Sequence, residues 1–257
     1  MMSMPALYYT CSMNTHKEWF NEWFDSPYYH ILYHHRDEQE AEFFLDNVVK
    51  KTGMQPGMHI VDLACGKGRH AVYLNKLGFD VTGVDLSASS IMQANAFANS
   101  QLRFEVHDLR NYVSSKKFDV ALNLFTSFGY FQSAEEDEQV LFNIHESLTE
   151  NGLLLIDFMN IEKVLSTLVE HESKTINGIH FNISRWADDQ FLYKKIQCTE
   201  SSSTFEFTEK VQLISLAKFE HLLKRTGFQI LEVMGNYKLD PFRISESDRL
   251  ILLTKRI

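Results

Sequence analysis

Apolar positions recur along this 257-residue chain in two alternating rhythms. Short runs bounded by glycine or acidic residues read as strands: Ile60 to Ala64, Val81 to Asp85, Leu102 to His107, Phe118 to Phe125 and Leu153 to Phe158. Between most of them lie segments with the three-to-four-residue spacing of an amphipathic helix, near Arg69 to Leu77, Ala88 to Phe97 and Ala134 to Leu148. Ser133 and Glu136 form a Ser-x-x-Glu capping box ahead of the last of these helices, and Asn151-Gly152 is expected to end it. Strands separated by single helices predict parallel pairing through right-handed crossovers, with ligands bound at the carboxyl ends of the strands.

Outside that stretch the pattern changes. Upstream, Trp19, Phe20, Trp23 and Phe24 fall at helical spacing, and a helix from about Asp37 to Lys50 stops at Gly53, so residues 1–52 read as a helical lid on a main domain of 53–257. Downstream, a short helix from Ile161 to Val169 leads into alternating segments, Ile179 to Trp186, Phe191 to Thr199 and Phe205 to Leu213. They predict a small antiparallel sheet inserted at 172–214. A helix from Leu216 to Thr226 and two strands, Gln229 to Met234 and Arg249 to Lys255, close the chain. With no helix between those strands, they can pair only antiparallel. The expected class is therefore α/β, a seven-stranded, mostly parallel sheet with an antiparallel last strand.

Composition narrows the function classes. Hydrophobic residues make up 44% of the chain, enough for a substantial core. The formal charge is −9 with no run of lysine or arginine, so no nucleic-acid partner is expected. Cys11, Cys65 and Cys198 form neither a metal spacing nor a disulfide framework, which suits a reducing cytoplasm. Met1 to Met13 lack a signal-peptide pattern and no apolar run reaches membrane-spanning length, so no membrane partner is expected. A homodimer is compatible with the sequence, which does not specify an oligomeric state.

The chemistry concentrates at Asp62-Leu-Ala-Cys-Gly-Lys-Gly-Arg-His70. A strand runs into two glycines and then a helix, where the backbone can approach a ligand and unpaired amides point toward it. Asp85 ends the next strand about 20 residues on, where a carboxylate can accept both hydroxyls of a ribose. Gly66-x-Gly68-x-x-Ala71 also satisfies a dinucleotide fingerprint, so an NAD(P)-dependent oxidoreductase competes. Three features weigh against it. Asp62 would repel a pyrophosphate but tolerate an ammonium group, Asp108 follows the third strand, and the sheet ends in an antiparallel excursion.

With Val81-Thr-Gly-Val-Asp-Leu-Ser87, His107-Asp-Leu-Arg110 and Phe118-Asp-Val-Ala-Leu-Asn-Leu-Phe125, the chain resembles the class I S-adenosylmethionine-dependent methyltransferases. Tyr28-Tyr29 and Phe125-Thr-Ser-Phe-Gly-Tyr130 resemble the small-molecule branch that includes antibiotic-sugar N-methyltransferases. The resemblance implies a Rossmann-like sheet, S-adenosylmethionine as cofactor, and N- or O-methylation of a small-molecule acceptor. It implies that Gly66 and Gly68 lie against the methionine part and ribose, beside Ala64, and that Asp62 supports the ammonium side. Asp85 with Leu86 would take the ribose, and Asp108 with His107 and Leu109 the adenine, although Asp108 also suits a helix N-cap. Asn123, Leu124 and Phe125 would line the methionine arm. Ser127, Phe128 and Tyr130 would face the acceptor or belong to the core.

The resemblance further places Tyr29, Tyr33 and Arg36 in a segment closing over the sulfonium and carboxylate, where an aromatic face and a guanidinium fork would suit those groups. Ordinary lid packing is the alternative. His30 and His34 sit four apart, but no glutamate or third ligand accompanies them, so no metal is expected. His30, His34 and Tyr33 are candidates for a catalytic base, which a hydroxyl acceptor would need and a neutral amine would not. A methyltransferase for nucleic acid or protein and a non-catalytic module that binds the donor are the remaining alternatives.

Overall fold

The computed structural model describes residues 19–33, 38–111, 116–201 and 203–257. Two short helices, α1 (Trp19–Phe24) and α2 (Pro27–Leu32), precede α3 (Glu38–Thr52). The alternating stretch follows as β1 (His59–Leu63), α4 (Arg69–Lys76), β2 (Asp80–Asp85), α5 (Ala88–Ala94), β3 (Leu102–Val106), β4 (Phe118–Asn123), α6 (Ala134–Ser147) and β5 (Leu148–Met159). Then come α7 (Ile161–Ser166), β6 (His171–Ile176), β7 (Ile179–Ala187), β8 (Phe191–Glu200), β9 (Ser203–Gln212), α8 (Leu216–Arg225), β10 (Phe228–Met234) and β11 (Arg249–Arg256).

The main sheet has the order β10-β11-β5-β4-β1-β2-β3. Neighbours from β5 to β3 pair in parallel, and β11 pairs antiparallel with both β5 and β10. This is the expected seven-stranded arrangement, with β11 as the reversed strand. Its central strands are apolar on both faces: Ile60, Val61 and Leu63 of β1 and Val120, Ala121 and Leu122 of β4 are all buried between helical layers. The capping box at Ser133 and Glu136 is present in both directions. Among the described residues no helix is long and apolar enough to cross a membrane.

Two expectations need correction. Helix α6 stops at Ser147, before Asn151-Gly152, because Leu148 is already extended and paired with Phe118; Asn151, at φ 63°, instead marks an irregularity inside β5. The second sheet has four strands, β6-β7-β8-β9, and β6 lies at the start of the expected 172–214 insert, where the sequence pattern marked no separate strand. Its sequence, His-Glu-Ser-Lys-Thr-Ile, lacks an apolar face because an edge strand is held chiefly by backbone pairing on one side.

The N-terminal helices are anchored on this second sheet. Trp23 and Leu32 are fully buried against Phe181, Ile183 and Ile196, each burial contributing about 1.5–3 kcal/mol. Ser26 caps α2 by accepting from the Tyr29 amide, with Pro27 at the first helical position where its missing N–H costs nothing. The α1–α2 corner also docks on the main domain, where Asp25 accepts from Ser89 Oγ at 2.7 Å and from Ser87 Oγ.

Candidate functional site

The carboxyl ends of β1 to β4 open into a cavity of about 760 Å³, closed above by α1 and α2. Of the sequence-predicted residues, Tyr29, His30, Ala64, Gly66, Asp85, Leu86, His107, Asp108, Leu109, Leu124, Phe125, Ser127, Phe128 and Tyr130 line it. Ala64 and Gly66 both hold positive φ, 58° and 56°, and a Cβ built on Gly66 meets nothing within 4 Å, so the turn presents bare backbone to open space. Asp85 accepts from the amides of Gly66 and Ser87, both at 2.8 Å. Burial raises its carboxyl despite those bonds.

Gly68 does not line the cavity. It faces the opposite way, where a Cβ would fall 2.5 Å from the Phe104 ring at φ 82°, so its bareness serves packing of α4 on the sheet. Asn123 and Asp62 also sit behind the lining. Asp62 is buried with Oδ2 lacking any partner among the described residues, and burial pushes its carboxyl up to about 7, against an amide bond from Ala71. Asp108 is no helix cap: burial works to raise its carboxyl, but Arg110 grips it from both oxygens and holds it below the usual range. Phe128 reaches the cavity while packing its ring on Phe219, so it is lining and core at once. His34 and Arg36 lie outside the described residues.

Tyr33 points elsewhere, into a second cavity of about 750 Å³ that is also bounded by the inserted sheet and β11. Its hydroxyl donates to Glu209 at 2.6 Å, and Lys194 sits over its ring at 4.4 Å. Trp23 Nε1 donates to the same Glu209 oxygen at 2.7 Å. The predicted catalytic candidates are thus divided, with His30 in the first cavity and Tyr33 in the second. Burial and the nearby Lys67 lower the His30 pKa, which favours the neutral ring.

Four aromatic residues, Phe24, Tyr29, Phe125 and Tyr130, line both cavities and form the wall between them. Phe125 is fixed from several sides. His70 stacks on it at 5.0 Å, Arg69 lies over it at 4.7 Å, and Asp157 Oδ2 accepts from its amide at 2.8 Å. Asp157 also accepts from Arg249 Nε at 2.7 Å and Tyr237 O–H at 3.3 Å, while Arg249 Nη2 donates to Thr126 Oγ1 at 3.0 Å. Sequence reasoning missed Asp157, Tyr237 and Arg249. They lie on the antiparallel end of the sheet, and the available signal was a charged residue inside each of two apolar strands. Among the described residues no group of acids, histidines and cysteines could hold a metal.

Residues 60–152 match the family model of a methyltransferase domain. The glycine/sarcosine N-methyltransferase of Aphanothece halophytica is 31% identical over 140 residues, covering 52% of this chain and 51% of that protein. The chain spans about half the length of the curated relatives it matches at more than 30% identity. An S-adenosylmethionine-dependent methyltransferase from Clostridium acetobutylicum shares the fold at a TM-score of 0.77 and 18% identity, covering 89% of this chain and 96% of that one. The sugar N-methyltransferase KedS8 from Streptoalloteichus does so at 0.71 and 18%, covering 89% and 92%.

Proposed function

We propose, for a chain that carries a methyltransferase domain of the class I, S-adenosylmethionine-dependent kind, that it transfers methyl to a small-molecule acceptor by direct displacement. The observation that carries this reading is the pair of adjoining cavities sharing one aromatic wall. Two reactants must meet in line with water excluded, and two chambers meeting at Phe24, Tyr29, Phe125 and Tyr130 provide for that. The names of the relatives, an amino-acid and a sugar N-methyltransferase, support nitrogen as the acceptor atom.

The first cavity's residues fit S-adenosylmethionine. Asp62 Oδ2, a buried acceptor without a partner among the described residues, suits an ammonium group reached directly or through water. Gly66 and Ala64 give bare backbone beside it, Asp85 suits ribose hydroxyls, and His107, Asp108 and Leu109 flank the adenine end. When bound, the cofactor supplies a methyl group on a positively charged sulfur. The faces of Tyr29 and Tyr130 attract such a cation and keep water from it. His30, held toward its neutral form, lines the donor cavity and adds no positive charge beside the sulfonium. The buried free thiols of Cys65 and Cys198 fit a reducing, cytoplasmic setting.

Calorimetric titration with S-adenosylhomocysteine tests the donor site, and labelled methyl transfer to metabolite pools tests the reaction. Binding that disappears in Asp85→Ala is the expected result. Undiminished affinity in that variant would remove the ribose assignment, and no binding to the wild-type chain would remove the proposal.

A further inference from the structure

We propose that Gln212 is a positioning residue of the transfer site, gripping the chain on both sides of Tyr130 and so setting the ring that meets the donor's sulfonium; this rests on the methyl-transfer reading above. Gln212 ends β9, the last strand of the inserted sheet, and is 4% exposed. Its backbone amide donates to Gly129 O at 2.8 Å, and its side-chain Nε2 donates to Phe131 O at 3.2 Å. The residue between those two carbonyls is Tyr130. Gly129 makes the close approach possible, since at φ 74° a Cβ there would lie 3.0 Å from Ile214 Cδ1 and 3.4 Å from Gln212 Cβ. Lys210, on the same strand, donates to Gln132 Oε1 at 2.8 Å and extends the grip.

The amide of Gln212 is held in one orientation. Its Nε2 also donates to Asp137 Oδ2 at 2.6 Å, and its Oε1 accepts from Lys218 Nζ at 3.2 Å. Turning the amide over would set its oxygen against the Phe131 carbonyl and the Asp137 carboxyl, and its NH2 against an ammonium group. The orienting acid destabilises the place it occupies. Asp137 is fully buried on α6, that burial pushes its carboxyl up to about 7, and its Oδ1 has no partner among the described residues. Glu135 and Glu136 already give α6 an acidic first turn without being buried, so the burial of a third acid is explained by what it holds.

Tyr130 is the part of the wall that this grip controls. It lines both cavities, its hydroxyl donates to Thr126 O at 2.5 Å, and its ring packs on Trp19 and Phe24 at 5.3 and 5.6 Å. Those contacts come from the lid and from its own loop, whereas both flanking carbonyls are held by the insert. A cation is attracted to a ring face within about 6 Å of its centroid. Loosening the backbone around Tyr130 therefore weakens the hold on a charged sulfur and barely touches a neutral one.

S-adenosylmethionine and S-adenosylhomocysteine differ by one methyl and one positive charge, and calorimetric titration with both tests the proposal on wild type, Gln212→Met, Tyr130→Leu and the double variant. Gln212→Met keeps the buried volume and removes both Nε2 donors. Affinity for S-adenosylmethionine relative to S-adenosylhomocysteine should fall by about fivefold in Gln212→Met. It should fall at least as far in Tyr130→Leu, and no further in the double variant than in Tyr130→Leu alone. If Gln212→Met does not fold, Gln212→Met with Asp137→Leu takes its place, because removing both partners leaves no buried acid unpaired. An unchanged ratio in either single variant, equal weakening of the two ligands by Gln212→Met, or a fall that persists in the Tyr130→Leu background overturns the proposal alone. Failure of the wild-type chain to bind either ligand overturns the methyl-transfer reading and the proposal with it.

Discussion

Asp62→Asn tests whether the acid at the head of the glycine turn sacrifices stability for ligand affinity. Burial displaces its carboxyl from an ordinary 3.8 up to about 7, a difference worth about 4 kcal/mol against the folded state once the group must ionise. Because the folded-state value is the raised one, the group's contribution is fully present below the unfolded value. It is lost as pH rises from there through about 7. The amide has no charge to bury, so the variant escapes that loss. In thermal unfolding without ligand, Asp62→Asn should exceed wild type by about 8–16 °C at pH 8.5, since each kcal/mol moves Tm by about 2–4 °C in a chain of this size. At pH 4.5 the gap should shrink severalfold. Asp137, buried and also pushed up to about 7, titrates in both proteins and cancels from the difference.

The same substitution should weaken S-adenosylhomocysteine binding by at least about tenfold, because a hydrogen bond to a charged partner contributes about 1.5–3 kcal/mol. Calorimetry at pH 8 measures this, and at pH 6, where the Asp62 carboxyl of the free protein still holds its proton, proton release on binding to wild type should be absent in the variant. A Tm gap that does not change with pH would refute the burial argument. Unchanged affinity would refute the assignment of Asp62 to the ammonium side.

Three further predictions separate packing from chemistry. Gly68→Ala forces a Cβ to 2.5 Å from Phe104 at positive φ and should cost about 2–4 kcal/mol in urea unfolding; a neutral result would show that Phe104 moves aside at little cost. Ser133→Ala removes one half of the α6 capping box and should cost about 1 kcal/mol with no change in S-adenosylhomocysteine affinity. Tyr33→Phe deletes the hydrogen bond to Glu209 in the second cavity, so it should raise the acceptor KM severalfold and leave donor affinity unchanged. A fall in donor affinity would put Tyr33 at the first cavity after all.

The main sheet was legible because each of its elements carries its own signal. The runs at Ile60, Val81 and Phe118 are apolar on both faces, as central parallel strands must be, and the Ser133–Glu136 box marks a helix start from four residues. Within the expected insert, a strand held by pairing alone was not marked individually. Strand β6 has only Ile176 as an apolar anchor, and its existence depends on the hydrogen bonds that β7 offers it. The end of α6 was misread because Asn-Gly is a common turn signal, while the extended geometry at Leu148 is set by pairing with Phe118 on β4. Gly68 shows the same limit at one residue: the glycine was predicted, but whether its bare face meets ligand or Phe104 depends on a strand more than thirty positions away.

That contrast explains why a donor can be read from such a chain more readily than an acceptor. The first cavity is assembled largely from the ends of successive parallel strands, so most of its residues come in short motifs that follow one another in sequence: 64–67 with 69–70, 85–86, 107–109, and 124–125 with 127–131. The second draws Tyr33, Thr126, Lys194, Glu209 and Arg249 from separate elements, and no local pattern links them. Only the fold brings Arg249 to Asp157, and Asp157 ties Arg249 to the amide of Phe125, whose backbone sits in the left-handed region at φ 57°. An ordinary residue in that conformation costs about 1–3 kcal/mol and needs surrounding bonds to hold it. The carboxylate that fixes the guanidinium in one chamber therefore also fixes the wall of the other. A substitution at Asp157 should then disturb acceptor and donor together, whereas Tyr33 and Asp62 each act on one side.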